Sequence, residues 1–184
     1  MGVGGLLKEI PSRPLPRDEV ARDTDVTATA PRVPKIGALI MAAGQSRRMG
    51  AQNKLLAEVN GAPMVRHVLN QIMGSDAGPI AVVLGHEPEK VRACLAVPNV
   101  IFVENPDFEQ GLSTSLKCGL DSLSDDIDGV IVCLGDMPRV TSDEINKLIA
   151  AFNPLEGRAI CVPTHLGKRG NPVLWAHRFF EEMR

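Results

Sequence analysis

Positive charge and glycine follow an apolar segment in the stretch LIMAAGQSRRMGAQNKLL, residues 39–56. The apolar run ends at Gly44, and Arg47, Arg48 and Lys54 come soon after it. A glycine lets the backbone turn tightly and approach a ligand with no Cβ atom in the way. Arginine binds phosphate through two donors, and lysine acts as a point charge. These residue types at this spacing predict a phosphate-binding loop, with a basic surface loop as the alternative.

The backbone of the same loop offers further donors. Successive amides from Ala43 through Gln45 to Ser46 can form a concave nest for an anion. The spacing is not that of a Walker loop, because alanine rather than lysine follows the second glycine. It is not the G-x-G-x-x-G fingerprint either, since glutamine and serine follow the first glycine. The loop therefore indicates phosphate binding without identifying the nucleotide.

A carboxylate follows a second apolar run, GVIVCLG, at Asp136. A charged group at the end of a buried strand is costly unless it is paired or holds a metal ion. The spacing leaves two interpretations open, a metal ligand or a turn or helix-capping aspartate before Pro138.

Two polar segments are further candidates. GLSTSLKCGL begins a helical pattern at Gly111, with Ser113 and Ser115 close to its free amides. Such a start favours an anion or a nucleotide, although a plain serine N-cap explains the same residues. GKRGNP, with Arg169 and Asn171, has the composition of a hairpin turn between two strands.

The elements that must position these residues alternate along the chain. Apolar runs predict buried strands at 36–42, 80–85, 100–105, 129–136 and 159–163, with a short strand near 173–175. Helical periodicity predicts helices that begin near residues 65, 87, 111, 141 and 177. Asn60-Gly61 indicates a type I′ hairpin, and TSDE at 141–144 is a capping box. Alternating strands and helices predict βαβ units and a mostly parallel sheet.

Ligands of such sheets bind beyond the carboxyl ends of the strands. Four polar or glycine-containing positions lie at the ends of predicted strands, and we expect them to line one common edge: Gly44, Gly85-His86, Asn105 and Gly135-Asp136.

Composition narrows the class of protein. The formal net charge is -2 and aromatic residues make up 3% of the 184 residues, which argues against nucleic acid as a partner. No apolar run approaches the ~18 residues of a membrane span, and the start lacks the apolar core of a signal peptide. We therefore predict a cytoplasmic protein with no membrane partner, whose four cysteines, none in a C-x-x-C pair, are buried reduced thiols.

Residues 1–35 differ from the rest, because five of the 14 prolines fall there and no apolar period is sustained. We predict a flexible proline-rich linker or tail over 1–35, followed by one domain over 36–184. A linker at this position suggests an upstream domain fused to the chain.

The ordered motifs carry a resemblance to a known family. MAAGQSRRMGAQNKLL, GAPMVRHVL, VVLGH, ENPDFEQGLSTSLKCGL, VCLGDMP and GKRGNPVLW resemble, in this order, the molybdenum cofactor cytidylyltransferases. The resemblance covers roughly residues 36–180. It implies a Rossmann-like three-layer α/β/α sandwich, similar to the nucleotide-diphospho-sugar transferases.

By this resemblance, the loop after the first strand wraps a nucleoside triphosphate. Ala42, Ala43 and Gly44 would supply backbone to the base and ribose, and the alanine at 43 favours cytidine. Arg48 and Lys54 would bind the triphosphate and act in catalysis. The remaining implied nucleotide contacts come from the loop and from strand and helix ends: Gln45, Ser46, Gly85, Ser113 and Ser115.

The resemblance also implies a metal ion and an acceptor. Asp136 would bind Mg²⁺, or Mn²⁺ in its place, between the phosphates. Arg169 and Asn171 would contact the phosphate of the pterin acceptor. Relatives continue into a segment with a second metal-binding aspartate, so we expect the domain to be truncated at its C-terminus.

The implied reaction is transfer of CMP from CTP to the terminal phosphate of molybdopterin, with release of pyrophosphate. A molybdoenzyme or its chaperone would be the protein partner. The alternatives are guanylyl transfer, nucleotide transfer to a sugar phosphate, and a nucleotide-binding module that is inactive in this truncated form.

Overall fold

The computed structural model describes residues 32–45 and 53–184. The chain divides after Arg32, and the unit Val33–Arg184 contains every element named below. The proline-rich segment predicted over 1–35 falls almost entirely outside the described residues, as do Ser46, Arg47 and Arg48. The predictions for those residues therefore stay predictions.

The described residues form ten strands and five α-helices, and single helices alternate with single strands from α1 to β7. The strands are β1 (Ile36–Ala42), β2 (Glu58–Val59), β3 (Ala62–Pro63), β4 (Ile80–Leu84), β5 (Val100–Glu104), β6 (Gly129–Leu134), β7 (Ile160–Cys161), β8 (Thr164–His165), β9 (Lys168–Arg169) and β10 (Val173–Ala176). The helices are α1 (Met64–Met73), α2 (Pro88–Cys94), α3 (Leu112–Asp121), α4 (Ser142–Ala151) and α5 (Phe180–Met183).

Six strands form the central sheet in the order β5–β4–β1–β6–β10–β7. β1 runs parallel to both of its neighbours, so that Ile40 lies between Val82 of β4 and Cys133 of β6. β5 continues the parallel pairing beside β4. Only β10 runs against the others, because it pairs antiparallel with both β6 and β7. The sheet is thus mostly parallel, as the alternation of strands and helices predicts.

Alternate residues of β1 belong to two separate cores, one on each face of the sheet. Ile36 and Ile40 pack with the apolar sides of α1, α2 and α4. Leu39 and Met41 pack with α3 and α5. Helices therefore cover both faces, and the chain has the three-layer α/β/α architecture that the sequence analysis expects.

Local sequence signals are confirmed where they are strongest. Asn60 and Gly61 have φ angles of 49° and 81°, as a type I′ turn between β2 and β3 requires. The capping box of Thr141 and Glu144 opens α4 with both of its hydrogen bonds present. The end of the chain differs from the prediction, since a 3-10 turn over His177–Phe179 precedes a final α-helix of only four residues.

The prediction of four buried thiols is confirmed for two of the cysteines and wrong for the other two. Cys133 and Cys161 are buried, Cys94 and Cys118 are half-buried, and all four are free thiols. Burial raises the pKa of the Cys133 thiol to about 12, so it stays protonated and is a poor nucleophile.

No helix in residues 32–45 and 53–184 is long and apolar enough to cross a membrane.

Candidate active site

The strand order places a crevice at the carboxyl ends of β1 and β6. From β1 the chain continues to β4 and β5 on one side of the sheet, and β6 lies on the other side. Open α/β sheets bind ligands at such a point, where the strand order reverses. Gly44 follows β1 here, and Gly135 and Asp136 follow β6. The Gly135 amide donates to the Met41 carbonyl at 3.0 Å, which holds the two strand ends together.

Lys54 and Asp136 meet at this crevice. The Lys54 Nζ donates to the Asp136 Oδ2 at 3.1 Å, although 82 residues separate them along the chain. Both side chains are 40% exposed. An ion pair this exposed contributes at most about 1 kcal/mol to stability, so the fold gains little from the pairing. The structure therefore brings together two of the residues for which the resemblance implies catalytic roles.

Asn53, which was not among the predicted site residues, positions Lys54. Asn53 as a whole residue is only 5% exposed. Its Oδ1 accepts from the Leu55 amide at 3.1 Å and its Nδ2 donates to the His86 carbonyl at 3.3 Å. The His86 amide in turn donates to the Ala43 carbonyl at 3.3 Å. Asparagine is a preferred residue at helix starts, and this preference, directly before Lys54, was the available signal.

The loop after β1 also forms a hydrogen bond with the segment that follows β5. The Gln45 Nε2 donates to the Glu109 Oε1 at 2.6 Å. Glu109 belongs to a 3-10 turn, Phe108–Gln110, that precedes α3. The Phe108 ring packs against Gly85 at the end of β4. The turn was not predicted, because the residues around Phe108 and Glu109 show no regular apolar period. The contacts of these two side chains are with Gly85 and Gln45, which are distant in the chain.

The serines at the start of α3 have different surroundings. Ser113 is exposed in the first turn of the helix, open to a ligand. Ser115 is 3% exposed, and its Oγ accepts from the Asn105 Nδ2 at 2.9 Å. Asn105 is buried as well, and its Oδ1 accepts from the Asp107 amide at 2.9 Å. The Ser115 hydroxyl is therefore used inside the protein, where it joins α3 to the end of β5.

The two residues predicted to bind the acceptor lie near each other but in different surroundings. Asn171 lines an open cleft of about 470 Å³ that begins at Asp136. Arg169 is exposed on β9, in the hairpin of β8 and β9, and is not among the residues that line this cleft.

The donor set at Asp136 suits a magnesium ion that arrives with its nucleotide. Within the described ranges, no three His, Cys, Asp or Glu side chains are grouped so that they could hold a metal ion. Mg²⁺ is commonly bound by one or two carboxylates together with substrate phosphates and water. A single half-exposed carboxylate beside a lysine fits that arrangement and does not fit a closed metal site made by the protein alone.

Comparison with known proteins identifies the family. Residues 38–184 match the model of the MobA-like NTP transferase domain. The chain belongs to this family. This family is broader than the cytidylyltransferases that the motifs resemble.

Curated relatives of this NTP transferase domain include bifunctional GlmU proteins. The chain is 34% identical to GlmU of Kineococcus radiotolerans over 142 residues, which are 75% of the chain and 28% of that protein. It is 30% identical to GlmU of Caldicellulosiruptor saccharolyticus over 128 residues, 68% of the chain and 27% of that protein. The chain thus spans little more than a quarter of the length of these relatives.

Solved structures share the fold of the domain. Rv0371c of Mycobacterium tuberculosis superposes with a TM-score of 0.72 at 22% identity, over 83% of the chain and 76% of Rv0371c. Its manganese complex gives a TM-score of 0.67 at 21% identity, over 83% and 76% of the two chains. A nucleotidyl transferase from Methanothermobacter gives 0.68 at 20% identity, over 80% and 74%. The nucleotide-diphospho-sugar transferase-like fold is therefore confirmed.

Two glycines of the crevice differ in what the fold requires of them. A Cβ atom on Gly85 would lie 2.6 Å from the Phe108 Cβ and 2.8 Å from the Ala43 Cβ. A Cβ atom on Gly44 would meet no atom of residues 32–45 and 53–184 within 4 Å, and the φ angle of Gly44 lies outside the left-handed region. The described backbone at Gly44 therefore shows no conformation that only glycine adopts, and its predicted tight-turn role stays a prediction because the loop continues outside the described residues.

Gly85→Ala is expected to lower the free energy of unfolding by about 1–3 kcal/mol, because the added methyl group overpacks the contact with Phe108. Gly44→Ala is the matched control and is expected to leave stability unchanged. Urea denaturation of both variants measures the difference. Equal unfolding midpoints would show that the Phe108 turn moves away at little cost.

Proposed function

We propose that this domain transfers CMP from CTP to the terminal phosphate of molybdopterin, forming molybdopterin cytosine dinucleotide and releasing pyrophosphate. The observation that carries the proposal is the convergence of Lys54 and Asp136, 3.1 Å apart, at the crevice between β1 and β6. A cation and a carboxylate at this point suit a nucleotide with its metal ion. The order and composition of the motifs support cytidine and molybdopterin as the particular substrates.

The reaction needs positioning and charge neutralisation more than proton transfer. An oxygen of the acceptor phosphate attacks the α-phosphorus of CTP, and the bond from that phosphorus to the bridging oxygen of pyrophosphate breaks. The acceptor oxygen is already anionic, so no strong general base is required. Lys54 neutralises charge that develops on the departing pyrophosphate, together with Arg48 of the same loop.

Asp136 holds the metal ion in this proposal. Mg²⁺, or Mn²⁺ in its place, would withdraw charge from the phosphate oxygens when it is bound. The manganese complex of Rv0371c supports a divalent ion in proteins of this fold. The hydrogen bond from Lys54 holds the Asp136 carboxylate at the crevice.

The nucleoside is proposed to lie along the strand ends next to Gly44 and Gly85. Gly44 is exposed, and none of the described residues fills the space that a Cβ atom on it would occupy. Gln45 is tied to Glu109, so the backbone from Ala43 to Gln45 is held at the carboxyl end of β1. Backbone groups held in this way can form hydrogen bonds with a base and a ribose at close range.

A second candidate is nucleotide transfer to a sugar phosphate. The GlmU relatives, at 30–34% identity, favour it over guanylyl transfer to molybdopterin. Sugar phosphates and molybdopterin both present a phosphate to the α-phosphorus, so the chemistry at Lys54 and Asp136 would be the same. The two candidates differ only in the nucleoside and in the body of the acceptor.

A matrix of substrates tests the proposal. Pyrophosphate release is measured with CTP, GTP, ATP and UTP, each with molybdopterin, with hexose 1-phosphates, or with no acceptor. The proposal expects release only with CTP and molybdopterin. Release with a hexose 1-phosphate would establish the second candidate, and nucleotide binding without release from any pair would identify an inactive module.

A further inference from the structure

The cleft that begins at Asp136 carries an inference that deepens the proposed function and rests on it. We propose that this cleft binds the acceptor and that Arg139 binds the reacting phosphate of the acceptor. The ligand class is a phosphate monoester with a largely apolar body. Arg139 would thereby take the role that the motif resemblance gives to Arg169.

The cleft is formed by three parts of the chain that meet beside Asp136. The turn after β6 contributes one wall, α4 contributes a second, and the residues that flank the hairpin of β8 and β9 contribute a third. The volume is about 470 Å³, which is in the range of small-molecule sites. Its lining residues are Asp136, Met137, Pro138, Arg139, Val140, Glu144, Leu148, Pro163, Asn171 and Pro172.

The location of the cleft fits the acceptor and not the nucleotide. Gly44 and Gly85, beside which we place the nucleoside, follow β1 and β4, whereas the cleft lies beyond β6 on the side of β10. Asp136 is shared by both regions. An acceptor in the cleft would therefore approach the phosphates from the side opposite to the nucleoside.

The charges in the cleft leave one cation available. Asp136 is paired with Lys54 at 3.1 Å. The Glu144 carboxylate accepts from the Thr141 amide at 2.9 Å in the capping box of α4. Arg139 is the one basic residue in the described lining, and within the described part of the chain no hydrogen bond or ion pair engages it.

The backbone keeps Arg139 close to Asp136. The Met137 amide donates to the Leu134 carbonyl at 3.3 Å, and the Val140 amide donates to the Met137 carbonyl at 3.3 Å. Asp136 thus lies in the first of two successive turns and Arg139 lies in the second. A guanidinium so placed can bind a phosphate through two parallel hydrogen bonds while the phosphate faces the metal site.

The rest of the lining is mostly apolar. Met137, Pro138, Val140, Leu148 and the two prolines Pro163 and Pro172 offer few partners for hydroxyl groups. A ring system with polar groups at its rim can bury its faces against such a surface, and Asn171 can bind one polar edge. A hexose would leave several hydroxyl groups without partners there.

Steady-state kinetics with CTP, Mg²⁺ and molybdopterin test the role of Arg139. Arg139→Ala is expected to raise the KM for molybdopterin by about tenfold to 100-fold, as loss of a charged hydrogen bond does, and to leave the KM for CTP unchanged. Arg139→Lys, which keeps the charge but not the two parallel donors, should lie between. Lys147→Ala, an exposed cation of α4 outside the cleft, is the charge-matched control.

Three outcomes would overturn the assignment. One is an unchanged KM for molybdopterin in Arg139→Ala with an active wild type, which leaves the proposed function intact. Another is a rise in that KM only in Arg169→Ala. The third is a rise in the KM for CTP as large as the rise for molybdopterin.

Phenyl phosphate provides a probe that needs no turnover. Its binding is followed through the NMR signal of the Val140 backbone amide, next to Arg139 in the cleft lining, and we expect a saturable shift that is lost in Arg139→Ala and retained in Lys147→Ala. Absence of that shift contradicts the assignment even if the substrate matrix supports the proposed reaction. A saturable shift in a protein that turns over no acceptor supports the cleft and contradicts the proposed reaction.

Discussion

Lys54→Ala is expected to lower kcat for pyrophosphate release by about 10²–10³-fold while the domain stays folded. Removal of one preorganised group that stabilises developing charge typically has an effect of this size. The Lys54 side chain is 40% exposed and its pairing with Asp136 contributes little to stability, so the thermal midpoint should shift by no more than a few degrees. Initial rates with saturating CTP and the melting curve are measured on the same preparation.

Lys147→Ala is the control for this variant, since Lys147 is an exposed lysine of α4 outside the crevice. Its kcat should equal that of the wild type. Turnover of Lys54→Ala within a factor of about two of the wild type would remove the main argument for the proposed site, because the convergence with Asp136 would then have no chemical consequence.

Asp136→Asn is expected to lower kcat by a similar factor of about 10²–10³, for a different reason. The amide keeps the shape of the side chain but loses the negative charge, so the metal ion loses the ligand that the protein supplies. A metal ion contributes several kcal/mol to stabilising charge in the transition state, and each 1.36 kcal/mol corresponds to about tenfold in rate.

A binding measurement separates loss of the metal ion from misfolding. In the wild type, Mn²⁺ detected by electron paramagnetic resonance should bind weakly alone and tightly with CTP, because a single carboxylate needs the phosphates as additional ligands. Asp136→Asn should lose the protein-dependent part of that binding, whereas Asp125→Asn, an exposed carboxylate outside the crevice, should retain it. Tight Mn²⁺ binding in Asp136→Asn would assign the metal ion to other residues.

The Arg139 and Lys54 variants together divide the site into two halves. Lys54→Ala should affect steps that involve the triphosphate, and Arg139→Ala should affect acceptor binding alone. A site with one substrate only would respond to both variants in the same way.

Much of the local structure follows from the sequence because its causes are local. The apolar run before Gly44 is long enough for one buried strand, and Asn60-Gly61 allows the positive φ angles of a type I′ turn. Thr141 and Glu144 accept hydrogen bonds from each other's backbone amides at the start of α4, within four residues. In each case the residues that form the structure are neighbours in the chain, so the pattern contains the whole interaction.

The edge of the sheet on which the site lies also follows from the sequence. Parallel strands joined by helices all end on the same side, and glycines or polar residues follow the predicted strands there. This argument needs the direction of the strands but not their order. It therefore places Gly44, Gly85 and Asp136 on one edge without showing which of them are neighbours.

The order of the strands was decided by the tertiary structure. β10 lies between β6 and β7, which no periodic pattern indicates, and β6 lies directly beside β1. Only that second adjacency brings Asp136 within 3.1 Å of Lys54. The roles of Asn53 and Phe108 depend in the same way on partners far away in the chain.

The sequence by itself thus determined the class of fold, the edge that carries the site and the types of charge present there. Only the tertiary structure decided that Lys54 meets Asp136, that Ser115 faces the core and that Arg139, rather than Arg169, lines the cleft beyond β6. The physical reason is that periodicity and turn preferences report short-range interactions, whereas contacts between loops depend on which strands pack side by side.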